Sequence, residues 1–230
     1  MSKYTDLQAK RRSTYVIGKN TDLTQEEISQ AIREAAKNVP TSFNSQTSRL
    51  VVVFDDANER VWKEIHNVQK DVLDEATWGM MGPVIEGAGQ GVGTILFFED
   101  RDAVKENIPA AESQQNLYKQ DNSSNQQYAA WLTLAELGLG GTLQHFNIGY
   151  EQGFDKVFRD LLDLPESYEM VAQMPFGSIE QEYEPKDYID SHVQVQVPDL
   201  HVNQDVKQET HPAAGEEKTS FFQKLKSIFS

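Results

Sequence analysis

The run Leu50-Val51-Val52-Val53 constrains the fold more than any other stretch of the chain. Consecutive apolar, mostly β-branched residues without polar alternation read as a strand buried on both faces. A helix is predicted before it: Ile28, Ala31, Ile32, Ala35 and Ala36 share one face between Gln25 and Asn38. Thr24 and Glu27 have the spacing of a capping box at its start. Between helix and strand lies Pro40-Thr41-Ser42-Phe43-Asn44-Ser45-Gln46-Thr47-Ser48-Arg49, packed with hydroxyls and amides. Ser, Thr and Asn are ordinary turn formers. Turn formation alone does not account for Asn44 and Gln46, two flat donor–acceptor groups at the entrance of a core strand. Such groups can read the edge of a heterocycle by hydrogen bonds in both directions.

The 230 residues suffice for one large domain or two small ones with a substantial core. No segment approaches the roughly 20 apolar residues of a membrane span, and the N-terminus has no signal-peptide pattern. A cytoplasmic location is the expectation. The absence of cysteine removes disulfides, thiolate nucleophiles and cysteine metal sites together, so redox chemistry would need a bound cofactor. A formal charge of −15 argues against nucleic acid as a partner and gives a self-repelling surface.

Against that acidity the adjacent Arg11 and Arg12, followed by Ser13, stand out. Guanidinium forks donate in pairs to phosphate oxygens. Taken alone they read sooner as solvated surface charges than as a phosphate site. A helix is predicted over 3–10, delivering these residues at its end. After the strand at 50–54, residues 57–75 read as a helix with Val61, Trp62, Ile65, Val68 and Val72 on one stripe. Trp62 fits that core stripe better than a substrate contact, and His66 has no partner at metal-ligand spacing. Trp78-Gly79-Met80-Met81-Gly82-Pro83 is expected to break regularity. Gly87 to Gly93 does not fit G-x-G-x-x-G and precedes a strand, so a flexible approach to strand 94–98 is expected rather than a dinucleotide loop. Helices follow over 100–108 and 113–137, the second opening with many Gln, Asn and Ser residues. Phe154, Val157, Phe158 and Leu161 form a further apolar face, 168–176 a buried strand, and Val193, Val195 and Val197 an alternating edge strand. Residues 201–217 read as a polar linker. Residues 218–230 read as a short basic amphipathic helix able to touch a membrane surface or a protein.

Pro40-Thr41-Ser42-Phe43-Asn44-Ser45-Gln46 resembles the flavin-contacting segment of the nitroreductase family, usually Pro-Ser-Ser-x-Asn-x-Gln. Arg11-Arg12-Ser13 resembles that family's Arg-x-Ser phosphate grip. Gly91 to Asp100 is similar to the branch typified by the fatty-acid-repression-mutant proteins. The likeness runs in order over about residues 3–197 and gives a domain over 1–200. It implies an α+β fold, a mostly antiparallel central sheet flanked by helices, assembled as an intertwined homodimer. It implies FMN at the subunit interface, with NADH or NADPH as co-substrate and a nitroaromatic or quinone as acceptor. Arg11, Arg12, Ser13 and Lys186 are the implied phosphate contacts. Thr41, Ser42, Asn44 and Gln46 would meet the ring or ribityl from the partner copy, and Leu143, Gln144 and His145 would lay their backbone near the flavin. His145 is also a candidate proton donor. Tyr15 stands where relatives often have a basic residue; it can donate a hydrogen bond but adds no charge. The same features leave room for a flavin-binding regulatory or stress-related protein with little turnover, or for an interaction protein recruited by its C-terminal helix.

Overall fold

The structure is a computed structural model that describes residues 2–146, 149–183 and 185–197. The chain divides into two compact units, one ending at residue 184 and one beginning at Pro185. In the first unit, strands β1 (Ile17–Gly18), β2 (Ser48–Phe54), β3 (Gly93–Asp100) and β5 (Tyr168–Ile179) form an antiparallel sheet in the order β1-β5-β3-β2. The short β4 (Gly140–Gly141) also pairs with β5. Among the described residues the sheet is accompanied by α1 (Lys3–Lys10), α2 (Gln25–Lys37), α3 (Asp55–Val72), α4 (Glu75–Ala88), α5 (Arg101–Asn107), α6 (Glu112–Glu136) and α7 (Lys156–Leu162).

Side chains alternate across a strand, and β3 shows why its apolar run is continuous. Leu96 and Phe98 enter a cluster with Val61, Trp62 and Ile65 of α3, Ile85 of α4 and Phe158 of α7. Ile95 and Phe97 enter the opposite cluster with Ile28 and Ile32 of α2 and Ala130 and Leu134 of α6. Helices therefore cover both faces, so both parities of the strand are mainly apolar. Trp62 is a core residue; its Nε1 donates to Thr94 Oγ1 at 2.7 Å. The capping box of α2 is formed, with Thr24 N donating to Glu27 Oε2 at 2.8 Å and Glu27 N to Thr24 Oγ1 at 3.2 Å.

Three expectations are corrected. Residues 78–83 are helical, inside α4. Asp74 caps that helix by accepting from Thr77 N at 2.9 Å. Pro83 and Gly79, four residues earlier, lie on its exposed side, where water can satisfy the carbonyl that proline leaves unpaired. Gly91 and Gly93, at the entry to β3, answer to close packing rather than flexibility: a Cβ at Gly91 would stand 2.4 Å from Phe176 O, and one at Gly93 2.5 Å from Val53 O. In the second unit, residues 193–197 do not form an edge strand. Ser191–Gln194 is a single helical turn, α8, begun by the Asp190 carboxylate, which accepts from His192 N at 2.7 Å. Val193, Val195 and Val197 are exposed. The expected linker and tail helix lie outside the described residues.

Candidate functional site

The turn between α2 and β2 is strained. Phe43, Asn44 and Gln46 have φ of 60°, 52° and 47°, a left-handed region in which each non-glycine residue costs about 1–2 kcal/mol. What holds it is a buried side chain of α6. Asn122 Oδ1 accepts from Ser42 N at 2.8 Å, while its Nδ2 donates to Ser45 Oγ at 3.0 Å and Thr47 Oγ1 at 3.2 Å. Gln46 N donates to Thr41 Oγ1 at 3.1 Å, and Asn107 Nδ2 to Ser45 O at 3.1 Å. The result is an exposed pair of amides, Asn44 and Gln46, joined by Gln46 Nε2 donating to Asn44 Oδ1 at 3.1 Å. That bond uses the Asn44 carbonyl and one amide proton of Gln46. Thr41, Asn44 and Gln46 line a cavity of about 750 Å³ along edge strand β2, together with Leu50, Val52 and Gln126.

Arg11, Arg12 and Ser13 sit elsewhere. Ser13 forms a parallel bridge with Gly141, and Thr14 N donates to Gly141 O at 3.0 Å. The tripeptide thus lies beside the segment that leads into Leu143-Gln144-His145. Arg11 stacks on Trp131 of α6 at 4.3 Å; its Nε is buried and has no hydrogen-bond partner among the described residues. Arg12 lies over the Tyr183 ring at 4.5 Å. Gln144 has its N–H and C=O committed to Gln173, at 2.7 and 2.9 Å. Main-chain groups alternate in direction along an antiparallel strand, so those of Leu143 and His145 face away from β5. Gln173 also accepts from Phe146 N at 3.0 Å, which fixes the far end of this segment.

The sequence matches the Nitroreductase family over residues 9–178. The chain belongs to that family. Its relatives include HBN1 of Saccharomyces cerevisiae, 28% identical over 200 residues that cover 85% of this chain and 97% of HBN1. The nitroreductase FRM2 of the same yeast is 23% identical over 162 residues, 66% of this chain and 74% of FRM2. Among solved structures, nitroreductase CinD from Lactococcus lactis in complex with chloramphenicol superposes with a TM-score of 0.73 at 32% identity, covering 85% of this chain and all of CinD. A nitroreductase with bound FMN from Desulfitobacterium hafniense shares the fold, with a TM-score of 0.67 at 18% identity over 86% of this chain and all of that one. The nitroreductase-like α+β fold expected from the motifs is therefore the fold of this chain.

Within one copy of this nitroreductase-family chain the two motif groups do not meet. Asn122, which anchors the turn, and Trp131, which carries Arg11, are nine residues apart on α6. That spacing places them about 13 Å apart along the helix and about half a turn around it. Arg11, Arg12 and Ser13 do not line the cavity that Thr41, Asn44 and Gln46 line. Tyr15 is exposed beyond the tripeptide. Lys186 lies in the second unit, its Nζ 4.8 Å from the Tyr188 ring centroid. His145 is exposed and borders a second cavity of about 420 Å³, lined also by Glu99, Lys119, Ser123, Gln127 and Glu169. No group of three or more His, Asp or Glu residues able to hold a metal occurs among the described residues, and none of their helices is long and apolar enough to cross a membrane.

Sequence reasoning missed Asn122, Gln173 and Glu99. The richness of early α6 in amides and hydroxyls was a usable signal for the first, because so much polarity on a buried helix must find partners. Nothing in the sequence marked Gln173 or the burial of Glu99.

Proposed function

We propose that the chain is an FMN-dependent oxidoreductase that takes a hydride from NADH or NADPH and passes it to a nitroaromatic or quinone, the two substrates using one slot in turn. The observation that carries this reading is the strained turn stapled by Asn122, which keeps the hydrogen-bonded amide pair of Asn44 and Gln46 exposed. Backbone strain of this kind persists only where the surroundings over-determine it, and it clusters at ligand sites. The residues present fit FMN on two further counts. The buried Arg11 Nε lacks a partner, as a group completed by a ligand anion would, and the main chain of Leu143 and His145 is not used by β5.

When bound, FMN supplies the two-electron redox chemistry that a chain without cysteine cannot perform through thiols. The protein's part is to bind, orient and exclude water. Arg11, Arg12 and Ser13 would hold the phosphate. Asn44 and Gln46, with Thr41 and Ser42, orient the ring or ribityl. Leu143 and His145 offer main-chain donors at the ring edge. Since the phosphate and turn groups occupy opposite flanks of α6, a second copy of the chain is what brings both to one cofactor. We therefore infer a homodimer. The chloramphenicol bound to CinD supports a nitroaromatic acceptor.

Purified protein is expected to be yellow, to run as a dimer by size-exclusion chromatography with light scattering, and to oxidise NADH or NADPH on addition of 4-nitrophenol, another nitroaromatic or menadione. A colourless protein that gains no flavin absorbance on incubation with FMN overturns this reading. An FMN-loaded protein with no steady-state turnover supports instead a flavin-binding regulatory role. Arg11→Ala is expected to weaken FMN binding about tenfold, about 1.4 kcal/mol, as measured by quenching of flavin fluorescence; unchanged binding removes Arg11 from the site.

A further inference from the structure

Glu99 is the last buried residue of β3, one place before its end at Asp100, yet the proposed chemistry gives it no part. It lies opposite Ser48 in the β2–β3 register. Thr47 Oγ1 donates to Glu99 Oε2 at 2.7 Å, and Ser48 Oγ donates to Oε1. Thr47 Oγ1 also accepts from Asn122 Nδ2 at 3.2 Å. A directed chain of hydrogen bonds therefore runs from the Asn122 amide through the Thr47 hydroxyl to the Glu99 carboxylate, and Asn122 is the side chain that holds Ser42 and Ser45.

We propose that Glu99 is a positioning residue for FMN binding: its carboxylate anchors Thr47 and Ser48, and through Thr47 orients Asn122 and the turn that carries Asn44 and Gln46. This inference rests on the flavin reading and deepens it. A carboxylate accepts from both hydroxyls at once, and bonds to an ionised acceptor are the stronger ones. A protonated carboxyl must donate through its own O–H, so one of the two hydroxyls has to reverse, and the chain to Asn122 loses its single direction. The group titrates in a range where this matters, because burial raises its pKa from 4.5 to about 7 against the lowering effects of Ser48, Thr47, Lys119 and Arg49.

The charged groups around it are these. Lys119 of α6 pairs with Glu169 of β5 at 2.7 Å. Arg101 of α5 reaches the same Glu169 at 3.4 Å. Arg49 of β2 pairs with Asp100 at 3.1 Å. His145 borders the cavity that Glu99 and Lys119 line.

The test is the dissociation constant of FMN from the full chain, read by flavin fluorescence quenching between pH 5.5 and 8.5, for wild type, Glu99→Gln and Thr47→Val. Glutamine keeps the shape and remains neutral at every pH. The ratio of the Glu99→Gln constant to the wild-type constant is expected to be near 1 at pH 5.5 and to rise to about tenfold at pH 8.5. Taking the ratio cancels titration of the FMN phosphate and of every group the two proteins share. Thr47→Val, which cuts the chain while leaving Glu99 in place, is expected to show the same high-pH loss. A ratio that stays constant with pH, or a Thr47→Val protein that binds like wild type at pH 8.5, overturns the positioning role while leaving the flavin reading intact. Absence of FMN binding to wild type at every pH overturns both.

Discussion

Asn122→Ala is expected to weaken FMN binding by about 100-fold and to lower the stability of the apoprotein by less than about 3 kcal/mol, the worth of its bonds less the strain that the turn sheds. The substitution removes three hydrogen bonds, to Ser42 N, Ser45 Oγ and Thr47 Oγ1. Each is worth about 1 kcal/mol, with more lost wherever a partner is left buried and unpaired. The strain they oppose is of the same size, since Phe43, Asn44 and Gln46 each sit in the left-handed region at about 1 kcal/mol or more. With Asn122 gone, the bonds made by Thr41 and Asn107 are too few to balance it. The turn then relaxes toward ordinary φ values and carries Asn44 and Gln46 off their aim. The lost binding is the cost of restoring that aim when FMN arrives. Denaturant unfolding of the apoprotein and fluorescence titration of FMN measure the two effects separately. An Asn122→Ala protein that binds FMN within threefold of wild type would show that the turn keeps its shape unaided.

That turn also marks the limit of what the sequence discloses. Pro40 to Arg49 announced a polar turn entering a strand, although β2 is a half-buried edge rather than the fully buried strand its valines suggest, and the pairing of Arg11, Arg12 and Ser13 was equally visible, because both are local patterns of residue type. The two-sided burial of β3 and the stripes on α2 and α3 follow from periodicity, which is local too. The left-handed conformation of Phe43 was not legible, since no β-turn preference asks for an aromatic there; the turn is held by Asn122, which accepts from Ser42 N across 80 residues of chain. The helix through Pro83 was misread for a related reason. Proline and two glycines oppose a helix locally, whereas the cap at Asp74 and the packing of Ile85 and Ala88 into the α3 layer favour it over the whole segment. The valines at 193, 195 and 197 carry a strand's alternation, but within one chain the Asp190 cap starts a helical turn that takes in Val193 and ends at Val195. Glu99 was hidden most completely. Glu-Asp after an apolar run reads as the strand reaching solvent, and only the register with Ser48 shows that it stops short of it.

Because Glu99 stops short of solvent, Glu99→Gln is expected to make the apoprotein more stable at pH 8.5, by up to about 3 kcal/mol, while leaving it nearly unchanged at pH 5. The sign follows from the proton. The unfolded carboxyl titrates near 4.5 and the folded one near 7. Between those values the folded chain holds a proton that the unfolded chain has shed, so stability falls as pH rises through the interval and levels off above it. The difference is about 2.5 pH units at 1.36 kcal/mol each, giving about 3 kcal/mol lost by wild type. Glutamine does not titrate and escapes that loss. For a chain of this length the gain corresponds to a rise in Tm of about 6–12 °C at pH 8.5. Thermal unfolding of both apoproteins across pH 5–8.5 measures it, and parallel profiles would show that Glu99 does not titrate in the folded chain. The direction is informative beyond its size. A residue present only to support the fold would lose stability and FMN affinity together when replaced. Here the replacement is expected to gain stability at the pH where it loses affinity, the pattern of a buried charge kept at the expense of folding for the order it imposes on a binding turn.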